Sequence, residues 1–150
     1  MIGFCPLASG SKGNALYFGT KKTKILIDAG IGLKKISERL SCINVSLNDI
    51  EAVLVTHDHY DHIMGIKYLK EKQVFSNAET ARGIYRQLSV KPPFRIFTTD
   101  TSFVYKDLTV HPFSVQHDTL DPVGFVIQTE KYKIGICTDL GFVTTLVKHH

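Results

Sequence analysis

Residues 52–62 read AVLVTHDHYDH: an apolar run, Ala52 to Val55, followed within seven residues by three histidines and two aspartates. The run is short, rich in β-branched residues and without helical spacing, which predicts a buried strand. The polar cluster therefore lies at the end of a strand. After it, Ile63, Ile66 and Leu69 alternate with lysines, which predicts an amphipathic helix from Asp61 to Lys72 with an acidic first residue.

The cluster has the composition of a metal site. His57 and His59 flank Asp58, and alternate side chains of an extended turn point the same way, so both rings can converge on one ion. Asp61 and His62 would face a neighbouring point. Neutral imidazole and carboxylate suit zinc, manganese or iron. No thiolate lies nearby, which favours a catalytic over a structural site; a polar loop with incidental histidines is the alternative.

The order His57-Asp58-His59-Tyr60-Asp61-His62 resembles the signature of the metallo-β-lactamase fold superfamily. The resemblance implies an α+β fold, a four-layer αββα sandwich, and two divalent metal ions, with zinc as the first candidate and manganese or iron as alternatives.

Composition predicts a single soluble domain over residues 1–150. The chain has 150 residues, 43% of them apolar, and a net charge of +4, so it can bury a core and can accept a polyanionic substrate. It has no apolar run of about 18 residues, and no basic leader precedes its first apolar residues, so we expect no membrane partner and a cytoplasmic location. Three cysteines with unrelated spacing argue against disulfides and thiolate metal sites.

A loop at residues 8–14 separates predicted strands at 2–7 and 15–19. It reads ASGSKGN, and such glycine- and hydroxyl-rich loops can turn backbone amides inward around an anion. The candidate substrate contacts here are Ser9, Ser11, Lys12 and Asn14; an ordinary hairpin loop is the alternative.

Asp28 ends the predicted strand 23–28 and is followed by Ala29-Gly30. The resemblance implies that this aspartate lies beneath the metal site and orients the ligands without ligating. The alternative is a turn-forming Asp.

Two amphipathic helices are predicted, one marked by Leu33, Ile36 and Leu40 and the other by apolar residues from 78 to 88. Arg82 and Arg86 lie four residues apart on the second helix, which makes them candidate substrate contacts. A solvated helix face is the alternative.

Pro92-Pro93 precedes a series of predicted strands at 94–97, 102–105, 108–116, 123–130 and 132–137. His117 and Asp139 follow two of them. The resemblance implies that His117 completes the first metal's ligands with His57 and His59, that Asp61 and His62 hold the second metal, and that Asp139 bridges both. His111, next to a proline inside a strand, is interpreted as structural.

Four stretches resemble the YycJ/WalJ-like branch of the superfamily: LASGSKGN at 7–14, LIDAG at 26–30, HD followed by DPVGF at 117–125, and TDLG at 138–141. The branch implies an exonuclease-like activity on DNA. Its pattern continues with a further helix, a strand and a last histidine, so the chain would represent about the N-terminal 60% of the fold. His149 and His150 are interpreted as the start of the next helix or a tag remnant, because the sequence predicts no strand directly before them, as the missing ligand would require. A second copy of the chain is a candidate to cover the exposed sheet.

Three functions remain open from the sequence. The first is a metal-dependent phosphodiesterase acting on DNA, with a metal-activated water as nucleophile and Asp61 also able to take a proton. The second is a hydrolase of small thioesters, lactones or lactams, because the ligands activate water and do not recognise the substrate. The third is a catalytically incompetent fragment that binds one metal weakly.

Overall fold

The structure, a computed structural model, describes residues 3–115, 119–137 and, for the backbone, 143–148. His117 and Asp139 lie outside the described residues. The rest of the chain forms two β-sheets with helices packed on the first. The strands are β1 (Gly3–Ala8), β2 (Ala15–Gly19), β3 (Lys24–Ala29), β4 (Ala52–Leu54), β5 (Gln73–Ser76), β6 (Phe94–Ile96), β7 (Phe103–Tyr105), β8 (Leu108–Ser114), β9 (Val123–Gln128), β10 (Tyr132–Cys137) and β11 (Val143–Lys148), and the helices are α1 (Leu33–Ser41), α2 (Tyr60–Ile63) and α3 (Ala78–Leu88).

The first sheet has the order β1-β2-β3-β4-β5-β6 within the described residues. β1, β2 and β3 pair antiparallel, whereas β3 to β6 pair parallel. Parallel strands present their carboxyl ends at one edge of the sheet, and ligand sites of open α/β sheets lie beyond that edge. The residues that follow β3, β4 and β5 therefore meet there.

The four inner strands of the first sheet, β2 to β5, are buried on both faces. In β3, Leu26 packs with the helices, while Ile25 and Ile27 pack between the two sheets. In β4, Val53 packs with the helices and Leu54 packs between the two sheets. This period-2 division explains why the strands read as continuous apolar runs, since neither face meets water.

The second sheet is antiparallel, with the order β11-β10-β9-β8-β7 among the described strands. Val110, Phe125 and Ile136 point from it into the layer shared with the first sheet. Stacked aromatic rings join the sheets near β7, where the Phe75 and Phe103 ring centroids lie 5.5 Å apart. The strands predicted after Pro92-Pro93 are confirmed, with ends that differ from the observed ones by up to two residues.

The prediction of one helix from Asp61 to Lys72 was wrong. α2 ends at Ile63, and a 3₁₀ segment, Met64–Tyr68, follows. Gly65 explains the break, because a Cβ at this position would lie 2.3 Å from Ile31 O and 2.8 Å from Ala29 O. The backbone after α2 packs directly on the end of β3, and a tighter helix at this point accommodates the approach.

The interpretation of the last two histidines needs a correction. They were expected not to follow a strand, but β11 runs from Val143 to Lys148 and pairs antiparallel with β10. Residues 143–147 read VTTLV, a β-branched run that favours a strand over a helix. His149 and His150 themselves lie outside the described residues.

The α+β class and the layered architecture are confirmed. Helices, first sheet and second sheet form three successive layers, with one apolar cluster between each pair. The outward face of the second sheet carries Thr109, His111, Gln128 and Lys133, and none of the described helices packs on it. That a second copy of the chain covers this outward face stays a prediction. Among the described residues, no helix has both the length and the apolar character needed to span a bilayer.

Asp107 joins the two sheets at the end opposite the histidines. Its carboxylate accepts hydrogen bonds from Thr23 Oγ1 at 2.5 Å and Thr20 Oγ1 at 2.7 Å. Burial opposes ionisation of this carboxyl, but the two threonine hydrogen bonds, a backbone hydrogen bond and the Lys22 charge outweigh it and lower the pKa of Asp107 below its ordinary value of 3.8. The turn between β7 and β8 is thereby fastened to the turn between β2 and β3.

We expect Asp107→Asn to lower the free energy of unfolding at pH 7 by about 1 kcal/mol, because hydrogen bonds to a carboxylate are replaced by weaker ones to an amide. A lowered folded-state pKa stabilises the protein above pH 3.8, the unfolded-state value, and this contribution is lost as the pH falls through the folded-state pKa. Urea unfolding at pH 7 and pH 3 measures the effect, with the exposed Glu130→Gln as control. An equal difference at both pH values would contradict the prediction.

Candidate metal centre

The histidine cluster occupies the loop between β4 and α2 and the single turn of α2, at the carboxyl edge of the first sheet. Thr56 begins it directly after the buried Val55. Thr56 O accepts a 2.9 Å hydrogen bond from Val123 N at the start of β9, so the second sheet is also attached at this point. The loop is therefore held between the two sheets.

Asp28 organises the inner side of this loop. Its carboxylate is fully buried and accepts hydrogen bonds from Thr56 N to Oδ1 and from Thr56 Oγ1 to Oδ2, both 2.8 Å long. Oδ2 also lies 2.6 Å from His62 Nδ1. The backbone of Asp28 has a φ of 61°, a left-handed conformation that Asp tolerates better than most residues and that surrounding bonds must hold in place.

The hydrogen bonds define which nitrogen of each ring carries the proton. A buried carboxylate accepts only, so the Thr56 hydroxyl and His62 Nδ1 both donate to Asp28. Having donated its proton, Thr56 Oγ1 accepts from His57 Nδ1, which lies 2.8 Å away. Both rings then carry a proton on Nδ1, which leaves the lone pair of each neutral ring on Nε2.

The three imidazoles lie next to one another. The ring centroid of His57 is 4.9 Å from that of His59 and 4.1 Å from that of His62. His62 Nε2 lies 3.9 Å from Asp61 Oδ2. Four of the six predicted ligands are thus brought together, and His117 and Asp139 lie outside the described residues. Within the described part of the chain, no three donors are already grouped as an ion would require.

Asp61 is positioned by the glycine-rich loop. Asn14 N donates to Asp61 O at 2.7 Å, and Asn14 Nδ2 lies 3.2 Å from Asp61 Oδ2. Gly30 allows the chain to pass so closely, because a Cβ there would lie 1.7 Å from Asp61 O. Asn14 was predicted as a substrate contact, but it is buried and its amide bonds to the loop and to Asp61.

The other predicted substrate contacts lie on the surface. Ser9, Ser11 and Lys12 are exposed on the same loop. Arg86 Nη2 lies 3.8 Å from Asp58 Oδ2, beside the histidines. Arg82 Nη1 instead forms an ion pair with Glu79 on its own helix.

Sequence reasoning missed the support that α3 gives to Asp58. Gln87 Nε2 donates to Asp58 O at 2.6 Å, and the Asp58 side chain packs on Gly83, where a Cβ would lie 1.9 Å from Asp58 Oδ2 and 2.7 Å from Asp58 Cβ. A glycine inside an amphipathic helix costs about 1 kcal/mol relative to alanine. A glycine at position 83, inside a predicted helix, was therefore the sequence feature that could have indicated close packing at this point. Thr56 was missed too, because a Thr next to a strand has no distinctive pattern.

The donor set fits a borderline divalent metal. Imidazole rings that ligate a metal through one nitrogen usually donate from the other to a carboxylate, carbonyl or water. His62 has this arrangement through Asp28, and His57 has it through the Thr56 hydroxyl. The network therefore prepares two Nε2 atoms as ligands, and the Asp61 carboxylate lies close to one of them.

Comparison with known proteins assigns the chain to a family. The sequence model of the beta-lactamase superfamily domain matches residues 23–150. The chain therefore belongs to the beta-lactamase superfamily, as the histidine signature predicted.

The similar proteins are hydrolases of this superfamily. Exodeoxyribonuclease YycJ of Bacillus anthracis is 33% identical over 150 residues, which cover 97% of this chain and 57% of that protein. Exodeoxyribonuclease WalJ of Streptococcus pneumoniae is 33% identical over 145 residues, which cover 92% and 54%. The chain spans about half the length of these relatives. A Cronobacter sakazakii metallo-β-lactamase structure has the same fold, with a TM-score of 0.74 at 14% identity over 90% of this chain and 55% of that one.

We expect Gly83→Ala to weaken zinc binding and lower stability, although alanine is the better helix former. The added methyl overlaps Asp58, and overpacking of this kind costs about 1–3 kcal/mol. The displaced residue lies between His57 and His59. Urea unfolding and zinc titration against a chromophoric chelator measure both effects, with Gly32→Ala as control because a Cβ there meets no atom within 4 Å. Equal zinc affinity for both variants would contradict the packing argument.

We expect Thr56→Val to reduce zinc affinity by about 10–100-fold, the usual cost of losing a partner of a ligating histidine. Valine keeps the shape but removes the hydroxyl between Asp28 and His57. Thr56→Ser retains the hydroxyl and is the matched control. The same chelator competition measures affinity; wild-type affinity in the valine variant would show that the hydroxyl does not orient His57.

Proposed function

We propose that the chain is part of a metal-dependent phosphodiesterase that degrades DNA as an exonuclease. The observation that carries the proposal is the hydrogen-bonded chain from His57 through Thr56 to Asp28 and His62, which orients two imidazoles as ligands. The exodeoxyribonuclease relatives support DNA as the substrate.

The predicted ligands divide between two ions. His57, His59 and His117 would hold one, Asp61 and His62 the other, with Asp139 shared by both. Zinc suits this set first, and manganese or iron are the alternatives. When bound, such ions lower the pKa of a water toward about 7 and neutralise charge that develops on a phosphodiester.

The residues of the chain perform the remaining tasks. Asp28 and Thr56 keep the protons of two imidazoles on Nδ1. The Asp61 side chain is 33% exposed and accepts a hydrogen bond from Asn14 Nδ2. Its carboxylate is therefore fixed in position and accessible to solvent. A residue that accepts a proton from the attacking water needs both properties.

Phosphate recognition falls to the exposed polar residues near the centre. Ser9, Ser11 and Lys12 are exposed on the loop whose Asn14 bonds to Asp61, and Arg86 lies beside Asp58. Arg82 can add to the positive electrostatic potential at the surface of α3, although its ion pair with Glu79 reduces that contribution. Contacts of this kind release counterions, so DNA cleavage should weaken as salt increases.

Small thioesters, lactones or lactams remain the second candidate substrates, because the same ions would stabilise their tetrahedral intermediates. Metallo-β-lactamases share the fold with this chain at low sequence identity, and fold alone does not assign a substrate.

We expect the chain to bind zinc in a His57-dependent manner and to hydrolyse single-stranded DNA from an end, more slowly at 200 mM than at 50 mM salt. Elemental analysis of wild type and His57→Ala measures the metal. End-labelled oligonucleotides, nitrocefin and a thioester, each tested with zinc, manganese or iron, measure the reaction. Tyr68→Ala, at an exposed site on a different cleft, is the control variant.

Other outcomes would identify the alternatives. Faster turnover of nitrocefin or the thioester than of DNA would replace the nuclease proposal with the small-molecule one. One ion or none per chain, together with no turnover of any substrate, would support the third hypothesis, an incompetent fragment. Cleavage that does not depend on salt would contradict the predicted phosphate contacts.

A further inference from the structure

A cleft of about 490 Å³ opens beside the histidine loop. The residues that line it are His59 at the end of the loop, Tyr60 at the start of α2, Arg86 and Gln87 on α3, and Leu120 in the segment before β9. Ligand pockets of small molecules have volumes of about 300–1,000 Å³. The cleft is therefore large enough for one nucleotide, and it adjoins a predicted metal ligand.

Two apolar side chains face solvent in this cleft. Tyr60 is 59% exposed and Leu120 is 68% exposed. An exposed Leu or Tyr alone needs no explanation, but two that line the same polar cleft form a surface suited to a flat apolar partner. Nucleobases are such partners, since they stack on aromatic side chains in single-stranded nucleic-acid complexes.

Arg86 supplies a cation to the same cleft. Its side chain is 70% exposed, and the 3.8 Å separation of Nη2 from Asp58 Oδ2 is longer than a direct hydrogen bond. The Asp58 side chain is only 18% exposed. At this separation its pair with Arg86 is weak, and the five N–H donors of the guanidinium form a fork that matches phosphate geometry. The second acidic group at the cleft, Glu79, is paired with Arg82. Glu79 therefore does not compete for Arg86, whose free N–H donors can bind a phosphate while the guanidinium stays beside Asp58.

We propose that this cleft is a nucleotide subsite for an unpaired DNA end, with the base against Tyr60 and Leu120 and a phosphate bound by Arg86. The inference rests on the proposed nuclease function and makes it more specific. A base must be unpaired to expose its face to Tyr60, so the subsite selects single strands or frayed ends over closed duplex. Its position beside His59 places the bound nucleotide next to the bond that is cleaved.

The test pairs a change in the protein with a change in the substrate. Single abasic sites are placed at each of the first three nucleotides from either end of an end-labelled oligonucleotide, and KM and kcat are measured for wild type, Tyr60→Ala, Tyr60→Phe and Tyr68→Ala. Tyr68 is a matched control, since it is 55% exposed but lines a cleft against α1. Fluorescence anisotropy of the same oligonucleotides, labelled with fluorescein, measures binding without turnover.

At one abasic position we expect the KM of wild type to rise about five- to hundredfold, the usual range for one lost stack. Tyr60→Ala raises KM by a similar factor on intact DNA and is insensitive to that abasic site, whereas Tyr60→Phe and Tyr68→Ala behave as wild type. Arg86→Gln raises KM at every position, and Arg86→Lys restores part of the loss.

The failure of the subsite is distinct from the failure of the nuclease proposal. If wild type cleaves DNA but Tyr60→Ala shows the same KM and the same abasic profile, the subsite is wrong and the nuclease function stands. If wild type cleaves no DNA, the nuclease proposal fails, and anisotropy then decides the subsite: equal affinity of wild type and Tyr60→Ala, or tighter binding of closed duplex than of single strand, overturns it.

Discussion

The Asp28 carboxylate is the constraint on which the site depends. A buried charge is costly unless hydrogen bonds satisfy it, and here three donors do so, two from Thr56 and one from His62. Satisfying this one group joins the end of β3 to the loop after β4 and to α2. The left-handed backbone at Asp28 persists because these bonds hold it.

Close backbone approach is the second requirement. Gly30 lets Asp61 pass against the end of β3, Gly65 lets the chain return over the same strand, and Gly83 admits the Asp58 side chain to α3. In each case a Cβ would overlap a neighbouring atom. The glycines and the Asp28 network act together, because the hydrogen bonds require distances that larger residues would prevent.

The residues of the site form a buried inner set and an exposed outer set. The inner groups, Asp28 and Thr56, are buried and orient the imidazoles, whereas Tyr60, Leu120 and Arg86 are exposed around the adjoining cleft. A bound metal would supply an activated water able to attack phosphodiesters, thioesters and lactams alike, so in the proposed function the choice among them would come from the outer groups. Membership of the beta-lactamase superfamily does not by itself assign a substrate.

The sequence by itself determined the family, the strands other than β11 and the chemical character of the loop after β4, because short apolar runs and a dense run of histidines and aspartates leave strong local patterns. The tertiary structure decided what those patterns leave open. In the structure, Thr56 forms hydrogen bonds to both Asp28 and His57. Asn14, predicted as a surface contact, is buried and bonds to Asp61. Helix α2 ends at Ile63, earlier than predicted. These outcomes depend on atoms that approach from strands distant in the chain, and no local pattern encodes such distances.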